Sequence, residues 1–243
     1  AELNVGNAKV KKATANASVT DGNALYSIAG ATFGVFSDQN CNNQIGTLTT
    51  DENGDTNEVE VTAGTVYIKE LSAPKGYKLD TTVHSLTVEA GKTAVLSVAD
   101  IPKVTETLVD LFKIDMETGK ATAQGSAALE GAEFTWCYYD GLYTKDNLPE
   151  QATRTWVTKT VEEKNGDGTV HYVTKLADVY KVSGDAFYTQ NEKNVLPLGT
   201  LTVEETKAPD GYLLDGAYMQ AGDQKNVSDT DHRRWRACSS FWK

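Results

Sequence analysis

The feature that most constrains this 243-residue chain is a segment that occurs twice. Glu70-Leu-Ser-Ala-Pro-Lys-Gly-Tyr77 and Glu205-Thr-Lys-Ala-Pro-Asp-Gly-Tyr212 share Glu, Ala-Pro, Gly and Tyr at the same spacing, and each closes a short alternating strand. Counting back by twos from Glu70 meets Ile68 and Val66; from Glu205 it meets Val203 and Leu201. Side chains two apart share one face of a strand, so both glutamates are expected to point into a core. A carboxylate buried without a partner is strongly unfavourable. Each copy therefore needs a partner for its acid.

The repeat extends beyond this box. Gly30-Ala-Thr-Phe33 matches Gly131-Ala-Glu-Phe134, and the same offset carries Lys12 onto Lys113. Between Phe134 and Glu205 the second copy is longer, with an insertion over roughly 138–194. Short runs rich in Val, Thr and Tyr, separated by Gly, Asn and Asp turns, give a β texture throughout. No long amphipathic helix is evident, and Ala13 to Ile28 reads as a loop. Lys164-Asn-Gly-Asp-Gly168 reads as a hairpin turn. The expected organisation is two related domains, 1–103 and 104–230, followed by an atypical tail, 231–243.

The lysines repeat the logic of the glutamates. Leu111 and Val109 precede Lys113 at steps of two, and Val10 and Ala8 precede Lys12. Ala94, Leu96 and Val98 lead in the same way to Asp100. The first domain thus places Lys12, Glu70 and Asp100 at the inward ends of three apolar faces. In an apolar site an amine tends to lose its charge and a carboxyl to stay neutral. A neutral amine beside a carboxyl group is a nucleophile aimed at an acyl carbon, and a neighbouring glutamate can move the protons. These residues allow either a Lys–Asp amide, made once, or a buried ion-pair network without covalent chemistry.

The box, the lysine strand Leu111-Phe-Lys-Ile-Asp115, the Gly-Ala-x-Phe strand and Leu196-Pro-Leu-Gly-Thr200 resemble Cna B-type, or SpaA-like pilin, domains of Gram-positive surface adhesins and pili. The resemblance implies an all-β chain of two tandem immunoglobulin-like β-sandwich domains, extracellular and associated with a cell wall or pilus. It implies Lys12 as nucleophile, Asp100 as acceptor and Glu70 as catalytic acid of a spontaneous isopeptide bond. It implies a structural stalk, with neighbouring domains of a longer surface protein as partners and no turnover enzyme. An alternative is an adhesin module that binds a host protein or glycan through the insertion.

The second domain departs from this pattern. Lys113 and Glu205 match, but the first-domain spacing puts the acceptor at Trp235. Asn226, Asp229 and Asp231 are the nearest candidates, and the composition shifts to Arg and Trp after Asp231. A truncation, an altered reading frame, an acceptor beyond the chain and a natural tail all remain open. A sheet edge left open to another chain is expected there.

Composition narrows the rest. A formal charge of −11 argues against nucleic acid as a partner. No run of 18 apolar residues suggests a membrane span. Ala1-Glu-Leu-Asn4 lacks a basic or apolar leader, so an export signal is expected to have been removed. Three distant cysteines and three scattered histidines give no metal spacing, and no cofactor is expected. Asp51-Glu-Asn-Gly-Asp55 lacks the glycine and glutamate positions of a calcium loop and reads as a hairpin turn. Trp136, Tyr138, Tyr139, Tyr143, Trp156 and Tyr172 form either a ligand platform or an enlarged core.

Overall fold

A computed structural model describes residues 4–106, 109–115 and 118–214, with the backbone alone of 218–220 and 235–237. The chain divides into two compact units, Ala1–Lys103 and Val104–Lys243. Both are built almost entirely from strands, so the expected all-β class holds.

Unit 1 is a sandwich of seven strands. They are β1 (Val5–Thr14), β2 (Thr32–Phe36), β3 (Gln44–Thr49), β4 (Val59–Thr62), β5 (Gly64–Ser72), β6 (Val83–Val88) and β7 (Thr93–Asp100). One sheet runs β4-β1-β7 and the other β3-β2-β5-β6. Alternation decides which side chains meet between them. Ala8, Val10 and Lys12 of β1 are buried, and so are Val66, Ile68 and Glu70 of β5. The stretch from Ala13 to Ile28 is not all loop: β1 runs to Thr14, and a four-residue helix, α1, spans Ala17–Thr20.

Strands β1 and β7 pair in parallel, from Asn7↔Thr93 to Thr14↔Asp100. Lys12 is registered against Val98, so Asp100 is its diagonal neighbour on the same inward face. The turn Asp51–Asp55 closes over β1. Gly54 accepts the Lys12 amide at its carbonyl, at 2.8 Å. Gly54 has φ of +79°, and a Cβ there would lie 2.1 Å from the Lys12 carbonyl oxygen, so only glycine fits.

In unit 2 the sheets are β12-β13-β9-β19, β14-β11-β10-β17-β18 and β15-β16-β8. The strands are β8 (Val104–Thr105), β9 (Leu111–Lys113), β10 (Glu133–Tyr139), β11 (Arg154–Lys159), β12 (Val161–Lys164) and β13 (Val170–Thr174). They continue with β14 (Lys181–Gly184), β15 (Tyr188–Gln190), β16 (Lys193–Pro197), β17 (Thr200–Lys207), β18 (Tyr218–Gln220) and β19 (Trp235–Ala237). The expected hairpin around Lys164–Gly168 is β12–β13. The chain changes sheets at Thr160, between β11 and β12.

A threonine clamp that strand alternation does not reveal recurs within each copy. Thr50 exchanges backbone bonds with Gly30 and Ala31, while its hydroxyl accepts the Ala31 amide at 2.9 Å and donates to the Ile28 carbonyl at 2.7 Å. Thr160 repeats every bond with Gly131, Ala132 and Leu129. Phe33 to Thr50 is 17 positions and Phe134 to Thr160 is 26; Thr50 to Glu70 is 20 and Thr160 to Glu205 is 45. The extra residues thus fall on both sides of the clamp, lengthening the β10–β11 connection and adding β12, β14, β15 and β16.

Candidate functional site

Lys12, Glu70 and Asp100 meet between the sheets of unit 1. Lys12 Nζ lies 2.6 Å from Glu70 Oε1 and 2.6 Å from Asp100 Oδ1, and the three side chains are 0–1% exposed. Strand parity delivers Lys12 and Asp100 from the β1–β7 ladder. Strand β5 delivers Glu70 from the facing sheet, registered against Phe33 of β2. Lys12 Nζ also sits 4.7 Å from the centre of the Phe33 ring.

The two contacts of Lys12 differ. Its bond to Glu70 is aligned as a hydrogen bond. Its approach to Asp100 is equally short but falls outside hydrogen-bond angles, and neither Asp100 oxygen accepts a hydrogen bond. Asp100 is thus a buried carboxyl group in close contact with an amine that is not aligned to donate to it. Burial pushes its pKa up to about 6, and the neighbouring Glu70 carboxylate adds to the rise while Lys12 opposes it. Glu70 has a second partner that sequence reasoning missed. Its Oε2 accepts the backbone N–H of Asp80 at 2.8 Å.

The box makes the same turn in both units. The Tyr77 amide donates to the Pro74 carbonyl at 3.2 Å and the Tyr212 amide to the Pro209 carbonyl at 3.1 Å. Gly76 has φ of +85°, and a Cβ there would strike the Tyr26 ring at 2.6 Å. Tyr77 is buried and meets Tyr26 edge-on, with ring centres 5.8 Å apart. From this turn Lys78 donates its amide to the Ile101 carbonyl, next to the acceptor, and Gly76 accepts the Lys103 amide.

Unit 2 reproduces half of the arrangement. Lys113 and Glu205 are 2% and 1% exposed, and Nζ donates to both carboxylate oxygens at 2.7 and 2.8 Å. Strand β19 pairs with the lysine strand, placing the backbone of Trp235 opposite Lys113, where an open edge was expected. That pairing is antiparallel, unlike β1–β7, and Trp235-Arg-Ala237 carries no carboxyl or carboxamide. Asn226, Asp229 and Asp231 lie outside the described residues.

Asp115, two positions after Lys113, replaces Thr14 of unit 1 and was also missed. Its Oδ1 accepts from the Thr118 amide and hydroxyl and from Gln124 Nε2, and its Oδ2 accepts the Tyr212 hydroxyl at 2.8 Å. These donors, the Thr118 amide first, hold its pKa down to about 2. The box tyrosine of unit 2 is thereby tied to the lysine strand.

The aromatic residues near the insertion are largely internal. Trp136, Tyr138 and Trp156 are 0–1% exposed; Trp136 Nε1 donates to Thr158 Oγ1, and the Tyr138 hydroxyl donates to the Leu198 carbonyl. Tyr143 and Tyr172 are half-buried. This is an enlarged core and not a platform of exposed rings. In the Asp51–Asp55 turn, Asp51 Oδ1 accepts the Asn53 and Asp55 amides, and Asp55 is paired with Lys9 and Lys11. Those contacts belong to a hairpin turn. Among the described residues no helix is long and apolar enough to cross a membrane.

Comparison with known proteins agrees with the fold. No curated protein matches the chain significantly. Among solved structures, the Bacillus anthracis TIE protein aligns over 89% of this chain at 24% identity with a TM-score of 0.54; the chain spans 31% of its length. A C-terminal fragment of the pilus adhesin SpaC from Lactobacillus rhamnosus GG aligns over 88% of this chain and 81% of its own, at 18% identity and a TM-score of 0.44. The family described as SpaA, a prealbumin-like fold domain, matches residues 13–102 and again 114–231. The two matched stretches take in most of the chain and repeat the two-unit division, and this protein belongs to the SpaA prealbumin-like fold family.

Proposed function

We propose that Lys12 and Asp100 join in an intramolecular isopeptide bond and that the chain is a structural segment of a Gram-positive surface protein or pilus. The observation that carries this reading is the contact of Lys12 Nζ with a buried Asp100 carboxyl group whose oxygens accept no hydrogen bond. A resting ion pair would be stabilised by such bonds; an amine approaching an acyl carbon does not need them.

In this reaction the neutral amine of Lys12 adds to Cγ of the protonated Asp100 carboxyl group. A proton leaves Nζ for Glu70 Oε1 and is returned to the departing hydroxyl, which leaves as water. One C–N bond forms, one C–O bond breaks, and Glu70 ends as it began. Fixing the groups inside a core supplies an effective concentration that can reach ~10⁵ M or more. The event occurs once per chain, so it is maturation and not turnover. Unit 2 holds Lys113 against Glu205 and stays an ion pair. Family membership supports an extracellular, cell-wall or pilus setting, with neighbouring domains of a longer surface protein as partners.

Intact mass tests this directly. The wild type is expected one water lighter than its sequence, while Lys12→Ala and Glu70→Ala keep their full sequence masses. A wild type at full mass overturns the bond.

A further inference from the structure

We propose that Asp80 is a positioning residue for bond formation, its main-chain N–H holding Glu70 so that one carboxylate oxygen alone serves Lys12. This rests on the isopeptide reading above. Glu70 has two equivalent oxygens, and a carboxylate free to rotate would present either of them, or neither, to the amine. Here the roles are divided: Oε2 is engaged by the Asp80 amide at 2.8 Å and Oε1 faces Nζ at 2.6 Å. Proton transfer depends on such alignment.

The amide is itself held in place. Asp80 Oδ1 accepts the Thr82 amide at 2.9 Å, forming an Asx turn, and Oδ2 lies 3.4 Å from Nε2 of His84 at the start of β6. The Thr82 hydrogen bonds, with His84, keep the Asp80 carboxyl below its ordinary range. Two residues earlier, Lys78 donates its amide to the carbonyl of Ile101 at 3.0 Å. One short segment after the box therefore grips both Glu70 and the residue that follows the acceptor. This gives the box a physical reason: its turn brings the chain back ten residues later to the acid with which it began.

The test follows mass loss over time in freshly synthesised full-length chain. Asp80→Pro removes the N–H, whereas Asp80→Asn keeps it and can keep the Asx turn. The expected result is slowing on the order of 10- to 100-fold for the proline variant and nearly wild-type closure for the asparagine variant. Melting of both in a Lys12→Ala background, where no bond forms, separates rate from stability. Should Asp80→Pro not fold, the amide proton of Asp80 in Lys12→Ala protein decides: it is expected to shift upfield when Glu70→Gln is added, and an unmoved resonance overturns the proposal. A folded Asp80→Pro chain closing at the wild-type rate overturns the positioning role alone. A wild type that never loses water removes both this role and the reading beneath it.

Discussion

At the scale of residues, similar acids in the two units have opposite environments. Asp100 is buried beside Lys12 with no aligned hydrogen bond to its oxygens and is pushed up to about 6, whereas Asp115 is surrounded by donors and held down to about 2. The second shift has a definite sign. The folded value lies below the ordinary 3.8, so ionised Asp115 stabilises unit 2 fully above that value, and the contribution is lost as pH falls toward about 2. Trp136 and Trp156 are buried in unit 2, and residues 1–103 hold no tryptophan, so tryptophan fluorescence reports the unfolding of unit 2. Between about pH 5 and pH 2 the urea midpoint of wild type is expected to fall further than that of Asp115→Asn. Tyr212→Phe removes one charge-assisted bond and is expected to lower stability by about 1.5–3 kcal/mol at neutral pH; an unchanged midpoint would exclude a clasp role for this bond. The buried Lys12, Glu70 and Asp100 were legible in the sequence because strand parity alone assigns a face. Asp80 and Thr160 were not, since they act through turns whose course no alternation pattern records. Asp115 stood within the quoted lysine strand, but nothing in its spacing revealed Tyr212 as its partner.

At the scale of elements, the strands and their inward faces followed from period-two patterning, and the sandwich from the family resemblance. What the pattern could not give was pairing direction. The parallel β1–β7 ladder puts Asp100 diagonal to Lys12, and an antiparallel arrangement, as for β9–β19, would reverse that geometry. Nor did it reveal the switch of sheets at Thr160, because Thr155–Val161 reads as one continuous alternating run. The turn over β1 is the element most exposed to a single substitution. Gly54→Ala combines a positive φ with a backbone clash at Lys12 and is expected to lower the stability of unit 1 by roughly 1–3 kcal/mol. Calorimetry of the unit 1 transition, compared in the Lys12→Ala background, measures this without the bond.

At the scale of the whole molecule, the two units differ in how they are closed. A bond from Lys12 to Asp100 encloses roughly 90 residues and is expected to contribute ~4–5 kcal/mol in the loop-entropy description. For a domain of this size that corresponds to a melting shift on the order of 20 °C. Scanning calorimetry should therefore resolve a late unit 1 transition in wild type that moves down in Glu70→Gln, with intact mass confirming which species carries the bond. Lys113→Ala is expected to leave the one-water deficit unchanged while destabilising unit 2, because it strands Glu205 in the interior. A deficit of two waters would show that unit 2 finds an acceptor of its own. The position of Lys12 and Asp100, near opposite ends of the unit 1 sequence, has one more consequence. Once joined there, unit 1 is a lariat in covalent terms, its ring containing nearly every loop of the unit. A peptidase that cuts any one of those loops opens the ring but releases no fragment, and the product is a branched chain that remains one molecule.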